Sequence, residues 1–171
     1  RDTAVFMVSA WSGDDETFVY SLLRLLELNR RPGQHLVVYG TPVWQDYDRI
    51  DLDYFEKLNV HLSSHTFIDS SDPDVQEFRR DYYDRFATLP NDAAFMGYDT
   101  MRYFAEMLQK YGVRFEDDLE KEEWGGLHTR FHFERVIDAP LTTGAEQLPI
   151  QQYENKYVSI LKFDNYQFVL D

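Results

Sequence analysis

Three short apolar runs, separated by stretches with helical periodicity, constrain this chain more than any other feature. The first, AVFMVSA (Ala4 to Ala10), places apolar side chains at consecutive positions, the pattern of a strand covered on both faces. It predicts a central strand. Ser12-Gly13-Asp14-Asp15 supplies turn and N-cap chemistry, after which Phe18, Leu22, Leu25 and Leu26 recur at helical spacing as far as Arg30, Arg31, Pro32 and Gly33. HLVVYG (His35 to Gly40) is the second run and stops at Gly40-Thr41-Pro42. A strand-helix-strand unit of this kind is expected to pair in parallel with a right-handed crossover. The fold class predicted is therefore α/β, a Rossmann-like parallel sheet flanked by helices.

The alternation continues. A polar stretch with Trp44, Tyr47, Ile50, Leu52, Tyr54, Phe55 and Leu58 leads to a third strand, Val60 to Ile68. Ser70-Ser71-Asp72-Pro73 then opens a helix with Val75, Phe78, Tyr82 and Phe86 on one face. Pro90-Asn91 interrupts it. The next helix carries Ala94, Tyr98, Met101, Ala105 and Leu108 and ends at Tyr111-Gly112. The acidic run Glu116 to Glu123 reads as a solvated helix face or loop and receives no role.

Beyond Gly125-Gly126 the period becomes two, with Leu127, Thr129, Phe131 and Phe133 on one side and His128, Arg130, His132 and Glu134 on the other. Val136 to Gln152 is a long loop, and Tyr157 to Phe163 is expected to pair with Tyr166 to Leu170 across Asp164-Asn165. The whole chain reads as one α/β domain, residues 1–112 in β/α units and 113–171 as a β-rich tail with a terminal hairpin.

Charge and composition narrow the function. Lys and Arg total 17 against 31 Asp and Glu, a net charge of −14, and a field of that sign repels phosphate backbones. Nucleic acid is excluded as a partner. With no cysteine, disulfides, thiolate zinc sites and cysteine nucleophiles are excluded too. The turn after the first strand, Ala10-Trp11-Ser12-Gly13, has one glycine where dinucleotide and phosphate-binding loops need several. No nucleotide cofactor is expected, and no cofactor of another kind is indicated. A Gly-x-Ser-x-Gly nucleophile elbow is missing as well.

His61 and His65, and His128 and His132, are four apart. In strands that spacing separates them by about 13 Å, too far for one ion with bonds of about 2 Å, so no metal site is expected.

In open parallel sheets ligands meet the loops beyond the carboxyl ends of strands. Ser9, Trp11 and Ser12 leave the first strand there, and Thr41 and Trp44 leave the second. Hydroxyls for orientation and indoles as flat apolar walls suit a small polar organic solute. The structural alternative is a pair of capping serines and a buried tryptophan at a strand-to-helix corner.

DPDVQEFRRDYYDRF, LPNDAAFMGYDTMRYFAEMLQKYG, and FHFERV followed by ENKYVSILKFDNYQ together resemble the type 1 periplasmic binding proteins of the branched-chain amino-acid group. The resemblance rests on Phe78, Tyr82, Pro90 and Phe95-Met96-Gly97-Tyr98-Asp99, and it covers the latter part of the family's length. It is similar also to the version found in Bacteroidetes envelope proteins, where such a module follows peptidoglycan-binding LysM repeats. The resemblance implies a two-lobed fold closing on an amino acid or similar solute, a periplasmic or cell-envelope location and delivery to an ABC transporter. By position it implies second-lobe contacts near Ser9 to Ser12 and Gly40 to Trp44. This chain departs from the family pattern by carrying Trp11 and Thr41-Pro42-Val43 where transport members commonly place Tyr or Glu against the ligand's ammonium.

The function expected is a non-catalytic solute-binding-protein-like module of the bacterial envelope, retained for small-ligand binding or for a structural, peptidoglycan-associated role through other domains. The rival is an enzyme of flavodoxin-like or glycosyltransferase-like architecture. The chain starts Arg1-Asp2-Thr3 without an initiator Met, so it is expected to be a segment of a longer protein. Its apolar surface would then be covered by a missing N-terminal lobe or by a second copy of the chain.

Overall fold

The computed structural model describes residues 2–136 and 152–171. In chain order the elements are β1 (Thr3–Met7), α1 (Glu16–Asn29), β2 (His35–Gly40), α2 (Leu52–Lys57), β3 (Val60–Ser64), α3 (Pro73–Phe86) and α4 (Asp92–Tyr111). There follow β4 (Glu123–Gly125), β5 (Arg130–Val136), β6 (Gln152–Asn155), β7 (Ser159–Asp164) and β8 (Gln167–Leu170). They form two compact units, Arg1–His65 with Val158–Asp171, and Thr66–Tyr157. These boundaries fall elsewhere than the change of character at 112/113 in the sequence.

In the first unit the three apolar runs lie side by side and parallel, with Val5 opposite Val37 and Tyr39 opposite His61. The sheet continues antiparallel through β7 and β8 in the order β1-β2-β3-β7-β8. The α/β class and the parallel pairing are as the alternation predicts. Val19 and Leu23 of α1 pack with Leu36, Val38, Phe55, Leu58, Val60, Leu62 and Phe163 into the core of this unit. Phe18 and Leu25, which the helical spacing placed on the apolar face, are exposed instead. An α1 with leucines at 22, 23, 25 and 26 offers more than one apolar stripe, and the sheet selects the one centred on Val19 and Leu23.

Two further expectations change. β1 is an edge strand, and Val5 and Met7 on its second face are 59% and 86% exposed. Consecutive apolar residues show that a strand is compatible with burial on both faces; they do not supply the second cover. In the hairpin, Asp164 pairs with Gln167 and Phe163 with Phe168. The two turn residues are therefore Asn165 and Tyr166, with φ of 51° and 61°, the geometry of a type I′ turn one residue beyond Asp164-Asn165. Phe163 is buried and packs edge-on against Phe55 at 5.4 Å, which fixes this register, since a one-residue slip would turn that ring outward.

The second unit is built on α3 and α4. Asp72 caps α3 by accepting from the Asp74 amide, and Ala87, left-handed at φ 53°, ends it ahead of Pro90. Asn91 caps α4 through the Ala94 amide at 3.0 Å. The buried residues of α4 are Phe95, Asp99, Tyr103 and Met107, whereas Met101 and Leu108 of the expected face are exposed. Tyr103 stacks on Phe131 at 4.6 Å in a cluster that Met107, Leu119, Trp124 and Phe133 complete.

β4, β5 and β6 form an antiparallel sheet. Phe131 and Phe133 share its inner side, as the period of two predicts, but the strand begins at Arg130, so His128 precedes it. The acidic run is tied down at several points. Residues Gly112–Lys121 form a 3₁₀ segment with Leu119 buried, Glu122 accepts from Lys110 at 2.6 Å and from Tyr111, and Glu120 pairs with Arg135 at 2.8 Å. The hydrogen bonds hold Glu122 below, and the Lys110 ammonium above, their ordinary pKa values. Most of the expected loop from Val136 to Gln152 lies outside the described residues.

Candidate functional site

Parallel strands of one sheet direct their carboxyl ends to the same side, so the segments after β1 and β2 are neighbours. Val8 continues the pairing by donating its amide to the Tyr39 carbonyl at 2.8 Å. Thr41, buried, donates its hydroxyl to the Ala10 carbonyl. Tyr47 donates its hydroxyl to the Ser12 carbonyl at 2.8 Å. Ser12 accepts from the Asp14 amide at 3.1 Å and donates its own amide to Asp15 at 3.1 Å, a reciprocal cap on the short helical turn at Gly13–Asp15.

Trp11 stands between the two pinned residues Ala10 and Ser12 with its side chain 67% exposed, and Ser9 is exposed beside it. Burial together with the charges of Asp15 and Glu16 pushes the Tyr47 hydroxyl above its usual pKa. The carboxylates therefore set a negative local field.

The five residues separate into two groups. Ser9, Trp11 and Ser12 present their side chains to solvent, while Thr41 and Trp44 are covered. Trp44 is 1% exposed. Its ring stacks near Phe55 at 6.2 Å and lies over Gly40 so closely that a Cβ there would come within 2.6 Å of it. Its Nε1 is buried and has no hydrogen-bond partner among the described residues. An indole with no open face cannot stack on a solute, so Trp44 serves the corner by filling it.

The histidine pairs are also apart in kind. His61 is buried, with its Nδ1 2.8 Å from the Asn59 carbonyl and its ring stacked on Tyr39 at 5.0 Å; His65 follows β3 and is exposed. His128 is buried and His132 half-buried beside Glu123 at 3.1 Å. No group of three or more metal-ligating side chains occurs among the described residues.

Sequence reasoning missed a fully buried carboxylate with several partners. Asp99 is 0% exposed and accepts from the amides of Leu127 and His128, each at 2.9 Å, and pairs with Nδ1 of His128. Gly126 lies against it, where a Cβ would stand 2.2 Å from the carboxylate oxygen. This cluster joins the middle of α4 to the approach to β5. The available signal was the tyrosine-aspartate pair at Tyr98-Asp99 on an otherwise apolar helical stripe.

Fold and loops together define an α/β protein whose polar segments open beyond the carboxyl ends of parallel strands. No helix among the described residues is long and apolar enough to cross a membrane. No family model matches the sequence, and no curated protein matches it at a significant level. A solved structure with a likeness to the chain is that of an ABC transporter substrate-binding protein from Desulfitobacterium hafniense in complex with Leu, at 14% identity and a TM-score of 0.48, covering 99% of this chain and 43% of that one. The chain thus spans less than half the length of that protein.

Proposed function

We propose that this chain is a non-catalytic, solute-binding-protein-like module of the periplasm or cell envelope that holds a small polar solute, such as an amino acid, against Ser9, Trp11 and Ser12. One observation carries the reading. A large exposed indole sits on a segment fixed from beneath by Thr41, Tyr47 and the Ser12–Asp15 cap. A preformed segment loses little entropy when a ligand arrives.

In this reading Trp11 is the flat wall, the hydroxyls of Ser9 and Ser12 orient the solute, and Asp14 and Asp15 favour a solute carrying an ammonium group. Thr41 and Trp44 keep their place in the site as supports beneath the contact residues. The sequence resemblance to type 1 periplasmic binding proteins supports the position of this segment, though Trp11 stands where transport members commonly place Tyr or Glu, and an ABC transporter as recipient follows from the same resemblance.

Calorimetric titration with a panel of amino acids and other small polar solutes tests the proposal. At least one should bind saturably, and Trp11→Ala should weaken it several-fold with an unchanged melting temperature. A panel without a saturable heat, or a bound solute indifferent to Trp11→Ala, overturns it.

A further inference from the structure

We propose that the groove between α3 and α4 is a second binding site, for a small organic cation consisting of an ammonium group on an apolar body. The groove lies wholly within the second unit and encloses about 640 Å³, inside the range of about 300–1,000 Å³ that small-molecule sites occupy. It is independent of the site at Trp11.

Its floor is aromatic. The Phe78 ring lies 4.6 Å from Tyr98 and 5.8 Å from Tyr82, and Tyr82 lies 4.6 Å from Phe86. Aromatic faces carry negative potential and attract cations. The chain's own side chains already use this floor in that way, with Arg85 at 5.7 Å over Phe86 and Arg102 at 5.8 Å over Tyr98. Phe78, Tyr82 and Tyr98, all partly exposed, line the groove between those two arginines and the first turn of α3.

Asp74, Glu77 and Asp81 line the same groove from α3. At spacings of three and four residues they share one helix face, where like charges repel. Among the described residues none of the three carboxylates forms an ion pair or accepts a hydrogen bond. A cation on the rings would relieve that repulsion and desolvate little, because the groove is open. The opposite sign of ligand is disfavoured. Arg102 is already paired with Glu106 at 3.2 Å, which leaves Arg85 alone against three carboxylates in a chain of net charge −14.

The test compares two probes with the same apolar body and a charged or a neutral head, 2-phenylethylammonium and 2-phenylethanol, titrated into the 171-residue chain by calorimetry and by NMR of the aromatic protons. The ammonium is expected to bind saturably and to shift the ring resonances of Phe78, Tyr82 and Tyr98, with the alcohol about tenfold weaker or more. The paired substitution Glu77→Gln and Asp81→Asn, both at the surface, is expected to remove most of that difference while the melting temperature stays within a degree or two of the parent. Equal binding of the two probes, absence of saturable binding by the ammonium, or an unchanged preference in the double variant each overturns the proposal. The probe comparison needs no variant and decides the matter alone if the double variant does not fold.

Discussion

Replacing Asp99 by Ala is the most informative single perturbation of this fold. The carboxylate is completely buried and receives two backbone amides, from Leu127 and His128, besides the His128 ring. Its removal strands donors that the surrounding strand and helix still hold away from water, and each buried orphan costs about 1–3 kcal/mol. Leu127 is half-buried and recovers some hydration, while His128 is buried. The expected loss is therefore about 3–5 kcal/mol, the range found when one partner of a buried pair is deleted, against a total of about 5–15 kcal/mol for a typical domain. Asp99→Asn keeps the shape and one acceptor oxygen, so it should cost about 1–2 kcal/mol. Urea unfolding followed through Trp124, the tryptophan of the second unit, measures both losses. Amide hydrogen exchange at Leu127 and His128 localises them. An Asp99→Ala loss below about 1 kcal/mol, or unchanged protection of those two amides, would refute the argument that this carboxylate organises the α4–β5 junction.

Other expectations follow from the same geometry. Trp44→Ala should cost about 3–5 kcal/mol by leaving a void in the first unit's core, while Trp11→Ala should stay within about 0.5 kcal/mol of the parent; chemical denaturation of the two variants side by side checks the contrast. Gly126→Ala must displace the Asp99 carboxylate and Gly40→Ala the Trp44 ring, so calorimetric melting should show losses of about 1–3 kcal/mol or more in each. The hydroxyl of Tyr103, a residue 1% exposed, is pushed by burial to about 12, above the value of about 10 it has when unfolded. The stability it contributes by staying neutral is complete below about pH 10 and disappears as the pH rises through 12. Urea midpoints of the second unit should fall over that window and fall less in Tyr103→Phe.

The parallel strands were legible because three apolar runs with helical spacing between them leave few other arrangements. Direction along the helices was harder to read. In α4 the buried stripe runs through Phe95, Asp99, Tyr103 and Met107, and its second member is a charged residue. Hydrophobic spacing discards such a stripe in favour of Ala94, Tyr98 and Met101, since an unpartnered buried carboxylate would be prohibitive. Only the donors arriving from residues 127 and 128, 28 and 29 positions away, make Asp99 a core residue. Trp11 and Trp44 show the same limit. Both follow parallel strands at the same end of the sheet, yet one is open and one closed, because Gly40 leaves room for the Trp44 ring to fold back over β2 and the Ser12 cap holds the chain where Trp11 faces outward.

The pairing of β3 with β7 has a kinetic consequence. Ser64 and Ser159 face one another across that pair and are joined by a side-chain hydrogen bond over a separation of 95 residues. In chain terms the second unit is thus an insertion within the first. Closing a flexible loop of that length costs about 4 kcal/mol of chain entropy, and non-local pairing of this sort slows folding. If Thr66–Tyr157 condenses early, its ends no longer wander freely and β7 reaches β3 over a shortened path. The strand that completes the first unit should therefore dock last, at a rate that substitutions in the α4–β5 junction control from outside the sheet they help to close.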